Sequence, residues 1–235
     1  MKTCLQFHPV RNQTAIFALA FALTCAAACA AAAADDTVKV DNDQARVLLV
    51  TSAPGAKSEL HEHKLNRVMI YLDAGKMTLT DTAGKVETLD FKAGEVLWSP
   101  ATTRPHVSLN VSDHPVRIVE VELKSNPGDP RAAKPAALDW VKADPKHCQV
   151  EIENDQVRVI RARYAAQEKG VLHEHTGNLL VTYLTECKLK VTPAEGEPRT
   201  AIKAAGDVVW GGPSKHVEEN LNDKPLEVVV VEFKK

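Results

Sequence analysis

One pattern is written twice in this chain. His61-Glu62-His63 returns as His173-Glu174-His175, an offset of 112 (173 − 61). At the same offset Asn42-Asp43-Gln44 returns as Asn154-Asp155-Gln156, Tyr71 as Tyr183 and Trp98 as Trp210. His106-Val107-x-x-Asn110 returns as His216-Val217-x-x-Asn220 at 110, so two residues are missing between the second-copy markers. A period this long means a duplicated domain, since solenoids repeat every 20–50 residues or so. With 235 residues, 44% of them hydrophobic, each half can bury a core of its own.

Within each copy the apolar residues fall in short β-branched runs broken by turn formers. Arg46 to Val50, Val68 to Leu72, Met77 to Thr80 and Val116 to Leu123 are the runs of the first copy. Val157 to Ile160, Leu179 to Leu184, Lys188 to Thr192 and Leu226 to Phe233 are those of the second. Asp73-Ala74-Gly75, Asp81-Thr82-Ala83-Gly84 and Pro193 punctuate them. Many short strands at even spacing predict an all-β barrel or sandwich in each half. Between the copies, 125–147 contains Pro127, Gly128, Pro130, Pro135 and Pro145, which excludes a continuous strand or long helix. Pro135 to Lys142 has room for one short helix that carries Trp140 across the domain boundary. The expected division is a leader over 1–34, domains over 35–124 and 148–235, and a linker over 125–147.

The leader is expected to be an export signal. Lys2 and Arg11 make a positive start, Ala15 to Leu23 an apolar core, and Ala30 to Ala34 a set of small-residue cleavage sites before Asp35-Asp36. Ala15 to Ala34 is also about as long as a membrane span, but its second half is nearly all alanine, which inserts weakly. Removal therefore predicts a periplasmic or secreted protein with no stable membrane span. The net charge is −2, and becomes −4 without Lys2 and Arg11, which gives no footing for nucleic acid or an anionic membrane surface. Cys148 and Cys187 remain in the exported part; they either form a disulfide or stay as two buried thiols.

The histidines carry the chemistry. On a strand, His61 and His63 share one face while Glu62 points away, and the same holds for His173 and His175 about Glu174. His106 and His216, from later strands, complete two trios that account for six of the nine histidines. His114 and His147 stand near prolines and are expected on surface loops. Imidazole is the commonest ligand of transition metals, and three leave coordination positions open.

These residues resemble the cupin superfamily, whose first motif is Gly-x5-His-x-His-x3/4-Glu-x6-Gly and whose second is Gly-x5-Pro-x-Gly-x2-His-x3-Asn. Gly55-x5-His61-x-His63 with Gly75 is similar to the first. Gly94-x5-Pro100, then His106-x3-Asn110, is similar to the second, with one extra residue and no internal glycine. His173-x-His175 and Gly206 through His216-x3-Asn220 keep the same order. The resemblance implies two tandem double-stranded β-helix barrels, a bicupin. Where the family places a glutamate ligand, the chain has Arg67 or Val68, and Leu179 or Leu180. What remains is similar to the three-histidine sites of thiol and β-diketone dioxygenases.

Around those trios, Glu218 lies two residues after His216 and, on an extended strand, points the same way as a ligand or general base. Ser108 takes its place in the first copy. Arg67 is a candidate clamp for a substrate carboxylate. Trp98 and Trp210 wall a pocket or fill a core, and Asn110 and Asn220 hold a turn or orient the histidine. Arg46, Arg158, Glu122 and Glu232 are expected in structural contacts. The leading expectation is a divalent transition metal in one or both barrels, Fe(II) first, with manganese, nickel, copper or zinc also served by imidazole. It would serve a dioxygenase, lyase or isomerase acting on a small oxygenated molecule. The alternative is a non-catalytic periplasmic module that captures a metal or small ligand. Homodimerisation is left open.

Overall fold

The computed structural model describes Met1 and residues 35–124 and 136–234; the expected leader and the first half of the linker lie outside them. The first copy runs through β1 (Asp35–Asp41), β2 (Ala45–Ser52), β3 (His61–His63), β4 (Arg67–Tyr71), β5 (Gly75–Asp81), β6 (Val86–Phe91), β7 (Val96–Ser99), β8 (Thr102–Asn110) and β9 (Val116–Leu123). A short helix, α1 (Trp140–Ala143), follows. The second copy is β10 (Cys148–Glu153), β11 (Val157–Tyr164), β12 (His173–His175), β13 (Leu179–Tyr183), β14 (Cys187–Pro193), β15 (Arg199–Lys203), β16 (Val208–Gly211), β17 (Ser214–Asn220) and β18 (Leu226–Phe233).

Each copy closes two antiparallel sheets on one another. The first uses β1-β2-β9-β4-β7 against β3-β8-β5-β6, and the second repeats this order as β10-β11-β18-β13-β16 against β12-β17-β14-β15. These are the two tandem cupin barrels. The five-stranded sheets also pack on each other, because alternate side chains of their central strands face opposite ways. Val68, Ile70, Val119 and Val121 of the first barrel join Val157, Leu180, Val229 and Val231 of the second in one buried cluster. Tyr71, Met77, Phe91, Val116 and Ile118 fill the first barrel's own interior instead. Both faces of β9 and β18 are thus covered, which explains the apolar run Val228 to Val231 in β18 and the apolar residues on both faces of β9. Each Val or Ile fully buried this way contributes roughly 1.5–3 kcal/mol.

The repeated Asn-Asp-Gln segments serve this docking. Asn42 Oδ1 accepts from the backbone N–H of Gln44 (2.9 Å) and Ala45 (3.0 Å), a turn that launches β2. Gln44 Oε1 then accepts from Asn178 Nδ2 of the other barrel at 2.6 Å. Reciprocally, Asn66 Nδ2 donates to Gln156 Oε1 at 2.6 Å. Gly94 (φ 78°) and Gly206 (φ 92°) occupy the left-handed region before β7 and β16. A Cβ on Gly206 would also stand 3.0 Å from Leu72 of the opposite barrel. Trp98 and Trp210 pack against the inter-barrel cluster, outside both pockets.

Cys148 and Cys187 are both free and buried in the second barrel's interior. Burial pushes the Cys187 thiol up to about 11 and raises Cys148 further. Among the described residues, no helix is long and apolar enough to cross a membrane.

Candidate metal centres

A three-residue strand is enough to build the first triad. β3 lies antiparallel to β8 with His61 directly opposite His106, and a register shift follows before His63. The ring centroids of His61, His63 and His106 stand 4.8, 4.6 and 5.2 Å apart, pair by pair. One ring nitrogen from each lies within 4.8 Å of the others. The backbone sets two of the tautomers. His61 Nδ1 donates to Glu59 O at 2.8 Å and His106 Nδ1 to Arg104 O at 3.3 Å, which leaves each Nε2 with its lone pair.

The second triad repeats the arrangement more deeply. His173 faces His216 across β12 and β17. Centroid separations among His173, His175 and His216 are 4.9, 4.6 and 5.4 Å, and one nitrogen of each again falls within 4.8 Å of the rest. His173 is fully buried and His175 is 4% exposed. His173 Nδ1 donates to Val171 O at 3.0 Å, and its buried Nε2 has no hydrogen-bond partner. His175 Nδ1 is 2.7 Å from Glu232 Oε1, a carboxylate–histidine pair of the kind that orients metal ligands. A buried imidazole nitrogen with a free lone pair, aimed at two others, fits a divalent transition metal.

Protonation follows burial. Burial, followed by the charges of Arg67, His61 and His106, pulls His63 down to about 3. Burial takes His173 to about 4, and lowers His106 as well. At neutral pH these rings are uncharged and free to bind metal. In the unfolded chain a histidine takes its proton near 6.5. The unfolded state therefore binds more protons than the fold from about pH 6.5 down to the folded values, and the metal-free protein loses stability as pH falls through that window. Its Tm is expected to be lower at pH 5 than at pH 7.5, and added metal to raise it at both. A flat Tm across that range would contradict the neutral, buried rings.

The pockets differ beyond the triads. Arg67 is buried beside the first, where its Nη1 binds Glu120 Oε1 at 3.0 Å and its Nη2 donates to Ser99 Oγ at 2.8 Å. Glu120 lies 3.7 Å from His63 Nδ1. Glu120 and Glu122, from β9, also form a compact group with His63, so carboxylate reaches the first triad from a strand the family motif does not include. The second barrel has Leu179 and Val230 at the topological places of Arg67 and Glu120. Glu218 stands on β17 with its Oε1 3.5 Å from His216 Nε2, and Ser108 occupies its place on β8. Burial works to raise the Glu218 carboxyl, but the hydrogen bond to His216 and the attraction of the triad rings when they are protonated outweigh it, so the carboxyl lies below its ordinary value. A cavity of about 310 Å³ lies inside this barrel, lined by Leu179, Val181, Tyr183, Val230, His175, His216 and Glu218 among others.

Two expectations need correction. Trp140 does not cross between the domains. The strap before it runs beside β12, with Glu174 N donating to Leu138 O at 2.9 Å, and Asp139 pairs with Arg158. This lays the Trp140 ring on His173 at 4.5 Å and 13°. His147 is not a surface residue either, because the end of the strap folds back over the barrel. Its Nδ1 is 2.6 Å from Asp144 and its Nε2 3.0 Å from Glu168, with Tyr164 at 4.7 Å. His114 is exposed, against Asp113 and Ala74 O. Asn110 and Asn220 hold turns, as one of the two expected roles has it, and do not touch the triad histidines. Asn110 Nδ2 donates to Ser52 O (2.8 Å) and His114 O (3.1 Å), and Asn220 Nδ2 to Ala165 O (2.9 Å) and Lys224 O (2.8 Å).

Comparison with known proteins agrees with this architecture. Residues 48–122 match the family described as "Cupin domain". AerE from Microcystis aeruginosa superposes with a TM-score of 0.60 at 14% identity, over 86% of this chain and 98% of that one. A cupin 2 conserved barrel domain protein from Leptotrichia buccalis gives 0.55 at 14%, over 86% and 90%. Bacillus subtilis oxalate decarboxylase, with Mn(II) centres, gives 0.55 at 16%, over 81% and 69%. At such identities the likeness is one of fold. No curated protein matches the sequence.

Proposed function

We propose, from the two cupin-type barrels and the cupin-domain match over residues 48–122, that this chain is an exported, metal-dependent enzyme acting on a small oxygenated molecule. The second barrel is the working site. One observation carries the reading: the buried, unpartnered Nε2 of His173 faces two further imidazoles at the edge of a cavity. Fe(II) is the first choice, with manganese, nickel, copper or zinc as alternatives. Bound there by three neutral imidazoles, such an ion keeps its full charge and supplies Lewis-acid polarisation of an oxygen ligand, for oxygenation or for lyase or isomerase chemistry. His173, His175 and His216 hold it, and Glu232 orients His175. Glu218, ionised and inside the cavity, is placed to take a proton from the substrate. The apolar wall and Trp140 keep bulk water from that side.

The first barrel fits a binding role without turnover, because Arg67 is already tied to Glu120 and Ser99 and offers no free guanidinium to a substrate. Export rests on Lys2, Arg11, the apolar core from Ala15 to Leu23 and the small residues before Asp35. The test begins with elemental analysis of the full chain purified from cells supplied with each metal in turn. Stoichiometric metal is expected, and metal-dependent oxygen uptake or substrate loss across diketones, thiols and phenolics. Tight metal binding without turnover would favour the binding module, and a folded protein without metal under every supply would remove the basis of both.

A further inference from the structure

The cavity inside the second barrel has a neighbour. An open surface pocket of about 350 Å³ adjoins it, and Val191, Arg199, Ser214 and His216 line both, so these four side chains, Arg199 itself exposed, form the neck between them. Glu195 and Lys215 flank the outer side. Arg199 is the first residue of β15, paired opposite Val191 of β14. Among the described residues no carboxylate forms an ion pair with Arg199, whereas Arg67, Arg117, Arg158 and Arg161 are each bound to acids. Its charge is nonetheless felt inside: at Tyr183, in the cavity wall, it opposes the rise that burial imposes on the phenol. The residue 112 positions earlier is Glu87 (199 − 112), so this cation belongs to the second barrel alone.

We propose that the second cavity selects a small carboxylate with an apolar body, the carboxylate held by Arg199 at the neck and the hydrocarbon part lodged beside the triad. This deepens the reading of that barrel as the working site, and rests on it. The chemistry is complementary at both ends. Guanidinium presents paired N–H donors that match a carboxylate's two oxygens, and Ser214 stands at the same neck. Beyond it, Leu179, Val181, Leu189, Val209 and Val230 offer surface for a hydrocarbon chain or ring. The chamber falls in the size range of small-molecule pockets. In the metal-free chamber a doubly charged acid would leave one carboxylate against that apolar wall, a large desolvation cost.

Calorimetric titration of the full chain with hexanoate and with hexanamide tests this, using metal-free and manganese-loaded protein. Hexanoate is expected to bind about tenfold tighter than hexanamide in the metal-free form, in line with a charge-assisted hydrogen bond. Arg199→Gln should bring hexanoate down to the hexanamide level while leaving hexanamide binding unchanged, and Arg199→Lys should keep part of the preference. Glu87→Gln, in the other barrel, should change neither. Equal binding of the two ligands by wild type, or full hexanoate affinity in Arg199→Gln, overturns the proposal. Metal content of the same samples separates the two readings. Bound metal without carboxylate preference sinks this inference alone, and carboxylate preference without metal at any supply sinks the metal enzyme alone.

Discussion

Replacing His173 and His175 together by alanine is expected to remove the second barrel's metal and reduce turnover to background. Replacing His61 and His63 should remove only the first barrel's metal and leave turnover in place. The asymmetry follows from the surroundings, because the second triad borders the cavity and Glu218 while the first faces an arginine already neutralised by Glu120. Elemental analysis of wild type and both double variants, beside activity, reads the two outcomes separately. His173 is fully buried under Trp140, so its loss opens a void that could weaken the fold. His216→Ala, at a partly exposed position, gives the same readout with less structural damage. Glu232→Ala should weaken metal affinity about 10–100-fold by freeing the His175 ring, with the fold otherwise kept. Undiminished metal in His173→Ala/His175→Ala would show that the ion is held elsewhere.

The triads were legible in the sequence because residue type, alternation and repetition all coincide within short segments. A strand places His61 and His63 on one side whatever happens elsewhere, and the later histidine recurs with its asparagine. The strands of the inter-barrel core were equally plain: Val116–Leu123 and Leu226–Phe233 are apolar enough to identify by composition. β1 is not legible in the sequence, since Asp35–Asp41 is mostly charged and exposed, and it becomes a strand by pairing as an edge with β2. Short, exposed β6 and β15 are hidden in the sequence for the same reason.

What surrounds each triad depends on pairings far apart in sequence. Glu232 reaches His175 across 57 positions, and Glu120 reaches Arg67 across 53. Nothing local says that β18 or β9 runs along the pocket floor. Trp140 was visible as a lone aromatic in a proline-rich strap, but its stacking on His173 requires the strap to run beside Glu174, which only the fold supplies. In the sequence Arg199 is one charge in a polar stretch, and only its pairing opposite Val191 sets it at the neck. Duplication was informative about shared architecture for a general reason. It also marked divergence, since Arg67 against Leu179, and Ser108 against Glu218, are differences between two solutions of one packing problem.

That divergence yields the second large effect. Arg67 and Glu120 form an ion pair whose side chains are only 8% and 10% exposed, with Arg67 Nε left without a partner. Glu120→Val alone would strand a buried guanidinium and is expected to cost about 3–5 kcal/mol. In a chain of this size that is roughly 6–20 °C of Tm. The second barrel supplies the apolar alternative in full: Leu179 for Arg67, Val230 for Glu120, and Gly211 for the Ser99 that accepts from Arg67. The glycine matters, because a Cβ there would stand 3.1 Å from Leu179 Cδ1. Arg67→Leu/Ser99→Gly/Glu120→Val should therefore recover the loss and match wild type or exceed it by about 1–4 kcal/mol, as buried pairs replaced by well-packed apolar groups do. Chemical denaturation of the single and triple variants measures both numbers. If the triple variant is as unstable as the single, the ion pair is worth more than its desolvation cost, and the first barrel has kept it for stability.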